Sequence, residues 1–217
     1  GFEQSDIIKL CKLLKKNTHL KVKSICSHLA SSNNPKYDNF IKNQFARFEK
    51  ISDIFYEKSG INVPKHILNT AGLLRFPHKC YDFVRIGIGL YGVSKDNNLK
   101  PISSLQSIVI DIKNIQKGEI IGYDGCCTKT EIKTAIIPFG YADGLNRKLT
   151  KNKGSVLIKN KSCKIISISM DSCIVDVSNS TIQVGDTVEI FSDKLSIISI
   201  AEKLDTIPYE ILSILNR

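Results

Sequence analysis

The sequence has no long apolar run. Of its 217 residues, 42% are hydrophobic and 24% are charged, and no stretch approaches the roughly 20 apolar residues that a membrane helix needs. The N-terminus, Gly1-Phe2-Glu3-Gln4, lacks the basic segment and apolar stretch of a secretory signal. We therefore expect a soluble, unexported globular protein that makes no contact with a membrane.

Cysteine pairs with metal-binding spacing are also missing. The seven cysteines form no C-x-x-C motif, and their odd number and their scatter over apolar patterns argue against a disulfide framework or a zinc site. We expect no bound metal and a reducing, cytoplasmic location.

Acidic residues are too few to balance the basic ones. Thirty-one Lys and Arg against 21 Asp and Glu give a formal net charge of +10, which could indicate a nucleic acid or another anionic partner. The lysines are spread along the chain, however, and the richest cluster, residues 148–164, has the pattern of turns between strands. We therefore expect no nucleic-acid partner, although a basic chain also suits a phosphate-bearing cofactor.

The first part of the chain alternates between helical and strand patterns. Helical spacing over residues 5–14 and 38–60 predicts two long helices, while residues 20–27, 65–69 and 83–86 resemble strands. This alternation is typical of parallel strands joined by helices. Only about three such units are visible, whereas a closed (β/α)8 barrel takes roughly 250 residues. Either the parallel sheet is small or the chain is a piece of a larger protein.

The pattern changes after about residue 92 to strands without long helices. The predicted strands cover residues 105–115, 132–139, 154–159, 163–168 and 173–177, and helical spacing returns over residues 195–204 and 209–215. A mainly antiparallel β domain fits this pattern. We predict two domains, residues 1–94 and 95–217.

Short motifs then occur in a fixed order along the whole chain. The motifs are Ser27-His28-Leu29-Ala30, Gln44 with Phe48, Asn69-Thr70-Ala71, Val84-Arg85-Ile86-Gly87-Ile88-Gly89-Leu90-Tyr91-Gly92, Leu99-Lys100-Pro101, Gly122-Tyr123, Gly140-Tyr141-Ala142-Asp143-Gly144, Ser169-Met170-Asp171, Val184-Gly185-Asp186 and Ile207-Pro208-Tyr209-Glu210. Each is weak alone, since a strand end with a tight turn also explains R-I-G-I-G. Together, in this order, they make the sequence resemble the alanine racemases.

The resemblance implies a fold, a cofactor and a reaction. The fold is an α/β plus β architecture, the C-terminal portion of a (β/α)8 TIM-type barrel followed by a mainly antiparallel β domain. The family interconverts L-alanine and D-alanine through a Schiff base on pyridoxal 5'-phosphate, with a lysine and a tyrosine as the two bases. It is cytoplasmic, works as a head-to-tail homodimer and supplies D-alanine for peptidoglycan.

The resemblance also implies where the cofactor contacts this chain. His28 lies beside the pyridoxal ring and Arg85 bonds the pyridine nitrogen. A guanidinium only donates hydrogen bonds, so the ring nitrogen must accept, which makes the ring a weaker electron sink than a protonated pyridinium. The residues expected around the phosphate are Asn69, Thr70, Gly87, Ile88 and Tyr209; the family usually has serine at the position of Thr70.

Three further residues match the family's substrate site. Tyr141 is the expected catalytic base, acting on the face opposite the cofactor lysine from across the dimer interface. A phenol is a poor base at neutral pH unless cations favour the phenolate, and His28 and Arg85 are candidates for that effect. Met170 is expected to meet the substrate carboxylate through its backbone, with Asp171 alongside. Without the resemblance, Tyr141 and Met170 would indicate only a glycine turn and a strand end.

Other residues lack a matching position in the family. His19, His66 and His78 resemble ordinary surface or packing histidines. The cofactor-bearing lysine of the family lies further upstream, and no lysine here has a matching context, so we expect that lysine to be absent. We expect this chain alone to have neither useful affinity for pyridoxal phosphate nor turnover. Two alternatives stay open: an amino-acid racemase of broader specificity, and a non-catalytic remnant or partner module.

Overall fold

The computed structural model describes residues 1–94, 99–123 and 126–215. These fold as two compact units, Gly1–Leu90 and Tyr91–Arg217. Residue 95, where we place the start of the second domain, lies outside the described residues, so the boundary between residues 94 and 95 stays a prediction. Within the described ranges, no helix has the length and apolar character needed to cross a membrane.

The first unit alternates helices with very short parallel strands. In chain order its elements are α1 (Ile7–Lys16), β1 (Ile25–Cys26), α2 (Asp38–Ser59), β2 (Lys65–His66) and α3 (Thr70–Arg75). β1 and β2 are parallel, as the alternating pattern predicts. The predicted helix over residues 38–60 is confirmed, because α2 ends where Gly60 takes a left-handed conformation, with φ of 72°.

The strand predictions of this unit are too long. Only Ile25–Cys26 of residues 20–27 is paired, and in residues 83–86 only Arg85 forms a bridge, to Asn69. Alternation in sequence reports which side chains face a core, whereas a strand also needs a neighbour to bond with along its length. Buried side chains of α2 pack instead against the segments after β1 and β2; this cluster comprises Leu29, Ile41, Phe45, Phe48, Ile67 and Leu68.

The second unit is built on an antiparallel sheet of seven strands. Its elements are β3 (Leu105–Ile108), β4 (Asp111–Ile115), β5 (Ile120–Ile121), β6 (Cys126–Cys127), β7 (Ile132–Ile137), β8 (Ser155–Ile158), β9 (Lys161–Ile168), β10 (Cys173–Asp176), β11 (Thr187–Phe191), α4 (Ile197–Lys203) and α5 (Pro208–Ser213). The order in the sheet is β3-β11-β8-β9-β10-β7-β4, and β5 and β6 form a separate pair.

The predicted single strand over residues 105–115 is wrong. It is two strands that lie at opposite edges of the sheet, because the chain changes partner in the middle: Val109 N–H donates to Asp186 O, whereas Ile110 N–H donates to Ile136 O. Both edges therefore lie on one continuous segment, and the sheet curls round to meet it. Sequence alternation continues through this switch, so it gives no sign of the break.

Short 3-10 turns complete the structure at Gln4–Asp6, Pro35–Tyr37, Pro77–Lys79, Ile88–Tyr91, Tyr141–Asp143 and Arg147–Thr150. The two C-terminal helices predicted from spacing are confirmed as α4 and α5. β11 is absent from the sequence prediction, although the alternating residues after the Gly185 turn carry its signal.

Candidate active site

The first unit brings its candidate residues together at one end of the parallel strands. His28 follows β1 by two residues, Asn69 and Thr70 follow β2, and Arg85 bridges to Asn69. Parallel strands present their carboxyl ends at one edge, which is where loops of α/β folds bind ligands. Gly87 and Ile88 continue from Arg85, so all six residues belong to this edge.

Arg85 is held in place by the ends of both strands. Its Nη2 donates to Ser27 O at 2.6 Å, and its Nη1 lies 2.6 Å from Nδ1 of His66. Its Nε–H has no partner among the described residues. The guanidinium is therefore fixed by protein groups on one side and keeps a donor for another acceptor.

His66 belongs to this site, although its sequence context gave no reason to include it. Because arginine can only donate, Nδ1 of His66 must accept, and its proton sits on Nε2, 3.3 Å from Ser24 Oγ. Burial, followed by the positive charge of Arg85, lowers the pKa of His66 below its usual value. A neutral His66 can thus orient Arg85 without repelling it.

Thr70 ties the loop after Arg85 to the start of α3. Its Oγ1 accepts hydrogen bonds from Gly87 N–H at 3.1 Å and Gly89 N–H at 3.3 Å, and the residue is buried. Since both hydrogen bonds use the oxygen as an acceptor, the hydroxyl hydrogen can still be donated elsewhere. This is the property needed to bind an anion.

The two glycines of the Arg85 motif serve different purposes. A Cβ on Gly89 would lie 2.6 Å from Thr70 Cγ2, so this position must stay small for packing. A Cβ on Gly87 would meet no atom within 4 Å, and Gly87 is exposed. Open space above Gly87 leaves room for an outside group to approach the backbone, although Gly87 N–H itself already donates to Thr70 Oγ1.

The side chain of Asn69 faces inward. Its Oδ1 accepts from Gly72 N–H at 2.9 Å and from Ser32 Oγ at 2.8 Å, and its Nδ2 donates to Leu29 O at 3.1 Å. Asn69 therefore caps α3 and anchors the loop after β1. Its side chain positions these neighbouring segments, and both hydrogen bonds that its Oδ1 accepts come from protein groups.

In the second unit, Tyr141 and Met170 are joined through their backbones. Tyr141 N–H donates to Ser169 O at 3.0 Å, and Ala142 N–H donates to Met170 O at 2.9 Å. Gly140 makes this approach possible, since a Cβ there would lie 2.3 Å from Met170 O. Tyr141 and Met170 are 45% and 60% exposed, so both side chains are accessible to an outside group.

Two more predicted residues lie in this unit. Asp171 is exposed next to Met170 and accepts a hydrogen bond from Ser172 Oγ at 3.3 Å. Tyr209 is in the first turn of α5 and is 48% exposed; its hydroxyl makes no hydrogen bond to any described residue. Across the described part of the chain, no group of three or more His, Cys, Asp or Glu side chains could hold a metal ion.

Comparison with known families finds a match in both units. The family model "Alanine racemase, N-terminal domain" matches residues 1–95, and the model "Alanine racemase, C-terminal domain" matches residues 102–217. The chain belongs to the alanine racemase family.

Individual alanine racemases match almost the whole chain. The alanine racemase of Vesicomyosocius okutanii subsp. Calyptogena okutanii is 36% identical over 98% of this chain, and that of Methanococcus maripaludis is 34% identical over 94%. These matches cover 60% and 58% of the two relatives. The chain thus spans about three fifths of the length of the curated alanine racemases that it matches.

Solved alanine racemases have the same fold. The enzyme from D-cycloserine-producing Streptomyces lavendulae superposes with a TM-score of 0.91 at 26% identity, and the one from Bartonella henselae, solved with covalently bound pyridoxal phosphate, with 0.88 at 29%. Both cover 100% of this chain, which covers 60% and 61% of theirs. The predicted fold class, part of a barrel followed by an antiparallel β domain, is confirmed.

Proposed function

We propose that this chain forms part of a pyridoxal-phosphate-dependent alanine racemase, an isomerase that interconverts L-alanine and D-alanine. The observation that carries the proposal is the arrangement of Arg85, Thr70 and Gly87 at one edge of the first unit, in a chain of this family. It provides an anion-binding hydroxyl, open backbone and a fixed cationic donor, because Thr70 accepts a hydrogen bond from Gly87 N–H and Arg85 precedes Gly87 by two residues. The Bartonella henselae relative, with its covalently bound pyridoxal phosphate, supports the same cofactor here.

The residues fit the phosphate of this cofactor. Thr70 has a hydroxyl hydrogen to donate, and the backbone at Gly87 is open to approach. We assign Ile88, the next residue, to the same place. We also assign Asn69 and Tyr209 to the phosphate. Asn69 caps the helix that begins at Thr70, and Tyr209 supplies a second hydroxyl donor. The net charge of +10 favours an anionic cofactor in general terms.

The residues also fit the pyridine ring. His28 is exposed at the same edge of the sheet, where it can lie against a flat ring. Arg85 has its Nε–H to offer to a ring nitrogen, which must then be unprotonated. When bound, pyridoxal phosphate supplies an electron sink that acidifies the Cα–H of an amino acid, and a ring nitrogen kept unprotonated weakens that sink. Arg85 thereby favours simple return of the proton over side reactions.

We assign proton transfer at one face of the substrate to the Tyr141 hydroxyl. The side chain is exposed, and its backbone is fixed by Ser169 and Met170, so the phenol oxygen is presented by a rigid turn. Met170 N–H has no partner among the described residues, which leaves it available to a substrate carboxylate, and Asp171 lies alongside. We assign the second base to a lysine outside these 217 residues, since no lysine here matches the family's position.

The proposal extends to the substrate, the location and the assembly of the complete enzyme. The substrate is alanine, the product D-alanine feeds peptidoglycan synthesis, and the complete enzyme is a cytoplasmic head-to-tail homodimer in which Tyr141 serves the partner's site. The domain division at residues 94 and 95 belongs to the same proposal.

A racemisation assay of the complete protein tests the proposal. L-alanine should convert to D-alanine, with serine and lysine much poorer substrates; comparable rates for all three would favour a broad-specificity racemase. Tyr141→Phe should lower the rate roughly a hundredfold or more, whereas Tyr37→Phe, an exposed tyrosine of the first unit, should have no effect. A complete protein that racemises none of these amino acids would favour a non-catalytic module.

A further inference from the structure

We infer that Ser32, supported by Arg75 and Asp38, is a positioning residue that fixes the spacing between the ring side and the phosphate side of the cofactor site. This inference rests on the proposed function, which places His28 at the ring and Thr70 at the phosphate. Neither Ser32, Arg75 nor Asp38 needs to touch the cofactor.

The two sides of the site lie on separate segments with little sheet between them. His28 follows β1 and Thr70 follows β2, and these strands pair through only two residues each. Beyond the strands, side chains make the connection: Ser32 Oγ donates to Asn69 Oδ1 at 2.8 Å, and Asn69 Nδ2 donates to Leu29 O at 3.1 Å. The loop carrying His28 is thereby tied to the residue that precedes Thr70.

Ser32 is itself held by a charged pair. Arg75 Nη1 donates to Ser32 O at 2.8 Å, and Arg75 Nη2 donates to Asp38 Oδ1 at 2.6 Å. The guanidinium also lies 4.9 Å from the centre of the Phe76 ring. Ser32 is 3% exposed, so its hydrogen bonds are shielded from water and costly to lose.

Gln44 holds the same loop from α2. Its Oε1 accepts from Ala30 N–H at 3.1 Å and its Nε2 donates to Ala30 O at 3.2 Å. Gln44 restrains the loop against α2, whereas the Ser32–Asn69 hydrogen bond restrains it against the Thr70 segment. The second restraint, together with the hydrogen bond from Asn69 Nδ2 to Leu29 O, sets the distance between the two sides of the cofactor.

This difference predicts an effect that depends on the ligand. A ligand that contacts both sides gains affinity when their spacing is already fixed in the free protein, because binding then costs less conformational entropy. A ligand that contacts one side gains nothing. Loosening the spacing should therefore weaken pyridoxal phosphate and spare both pyridoxal, which lacks the phosphate, and inorganic phosphate, which lacks the ring.

The test measures binding of these three probes to the full 217-residue chain and to two variants. Ser32→Ala removes the Ser32–Asn69 hydrogen bond. Asp38→Asn weakens the ion pair with Arg75, which supports Ser32, without disturbing a buried group. Glu57→Gln is the matched control, since it removes an exposed ion pair with Lys58 at the other end of α2. We expect each of the two variants to bind pyridoxal phosphate roughly tenfold more weakly, with pyridoxal and inorganic phosphate within about twofold; the control should match the wild type.

Amide hydrogen exchange of the unliganded chain gives a second readout. Residues 28–33 should exchange faster in Ser32→Ala and Asp38→Asn than in the wild type and in Glu57→Gln. Equal weakening of all three probes, unchanged affinity for pyridoxal phosphate or unchanged exchange would overturn the positioning role and leave the proposed function in place. If the wild-type chain binds neither pyridoxal phosphate nor inorganic phosphate, the positioning role is overturned, whereas the proposed function is decided separately by the racemisation assay of the complete protein.

Discussion

The two units hold their candidate residues by different means. In the first, strands of two residues are supplemented by long-range side-chain hydrogen bonds, such as those of Arg85 to Ser27 and of Thr70 to Gly87. In the second, Tyr141 follows β7 and Met170 follows β9, and β10 pairs with both strands. Backbone pairing thus fixes the candidate residues of the second unit, while individual side chains fix those of the first. Substitutions should affect the two units in correspondingly different ways.

The largest effect should come from crowding the backbone in the second unit. Gly140→Ala places a Cβ 2.3 Å from Met170 O, so the Tyr141 turn must move, at a cost of about 3 kcal/mol in the opening free energy of β7 and β10. Amide hydrogen exchange of peptides from β7 and β10 measures this loss of opening free energy. Gly87→Ala in the first unit meets open space and should change stability by less than about 0.5 kcal/mol. Equal effects at the two glycines would show that the turn adjusts freely.

A smaller effect should follow from removing one hydroxyl in the first unit. Thr70→Val leaves Gly87 N–H and Gly89 N–H without their acceptor, which should destabilise the loop by about 1–2 kcal/mol. Exchange at these two amides should accelerate, while β7 and β10 in the second unit keep their protection. Thr70→Ser, which keeps the oxygen, should behave like the wild type. Unchanged exchange in Thr70→Val would show that the backbone alone holds the loop.

The first unit should also respond to acid through His66. Its pKa in the folded chain lies below the usual 6.5, so folding favours the neutral form. The corresponding stability is complete above pH 6.5 and declines as the pH falls below this value towards the lowered pKa. His66→Gln should flatten this decline in amide exchange of the first unit, measured against pH. A variant with the same pH profile as the wild type would show that His66 titrates normally.

The smallest effect should come from an exposed ion pair in the first unit. Arg47 and Glu3 form a salt bridge with side chains that are 60% and 68% exposed, and such pairs contribute less than about 1 kcal/mol. Arg47→Gln should therefore leave thermal unfolding nearly unchanged, and added salt should have little influence on it. A loss of stability comparable to that expected for Thr70→Val would mean that exposed ion pairs also stabilise the first unit.

Local signals explain what could be predicted from the sequence. α2 follows from apolar spacing and a terminal glycine, and most strands of the second unit follow from alternation, because each pattern reports on neighbours in the chain. The partner switch between Val109 and Ile110 depends on strands far away in sequence. The strands predicted over residues 20–27 and 83–86 are too long because pairing, too, depends on distant segments.

The site residues show the same division. Arg85 and Thr70 could be proposed because they lie in motifs that resemble a family. His66 could not, since its role comes from contact with Arg85, 19 residues away, and from its burial. Similarly, nothing in the sequence joins Ser32 to Asn69, 37 residues apart. Long-range contacts between side chains leave no periodic signal.

The most direct measurement is a titration of the 217-residue chain with pyridoxal phosphate, followed by borohydride reduction and peptide mapping. We predict weak, saturable binding that is weakened further in Thr70→Val, with no modified lysine at a single position, because the residues that we assign to the phosphate and ring lie in this chain while we assign the covalent lysine elsewhere. One stoichiometric adduct on a single lysine of this chain would contradict that division of the site, and so would affinity that is indifferent to Thr70.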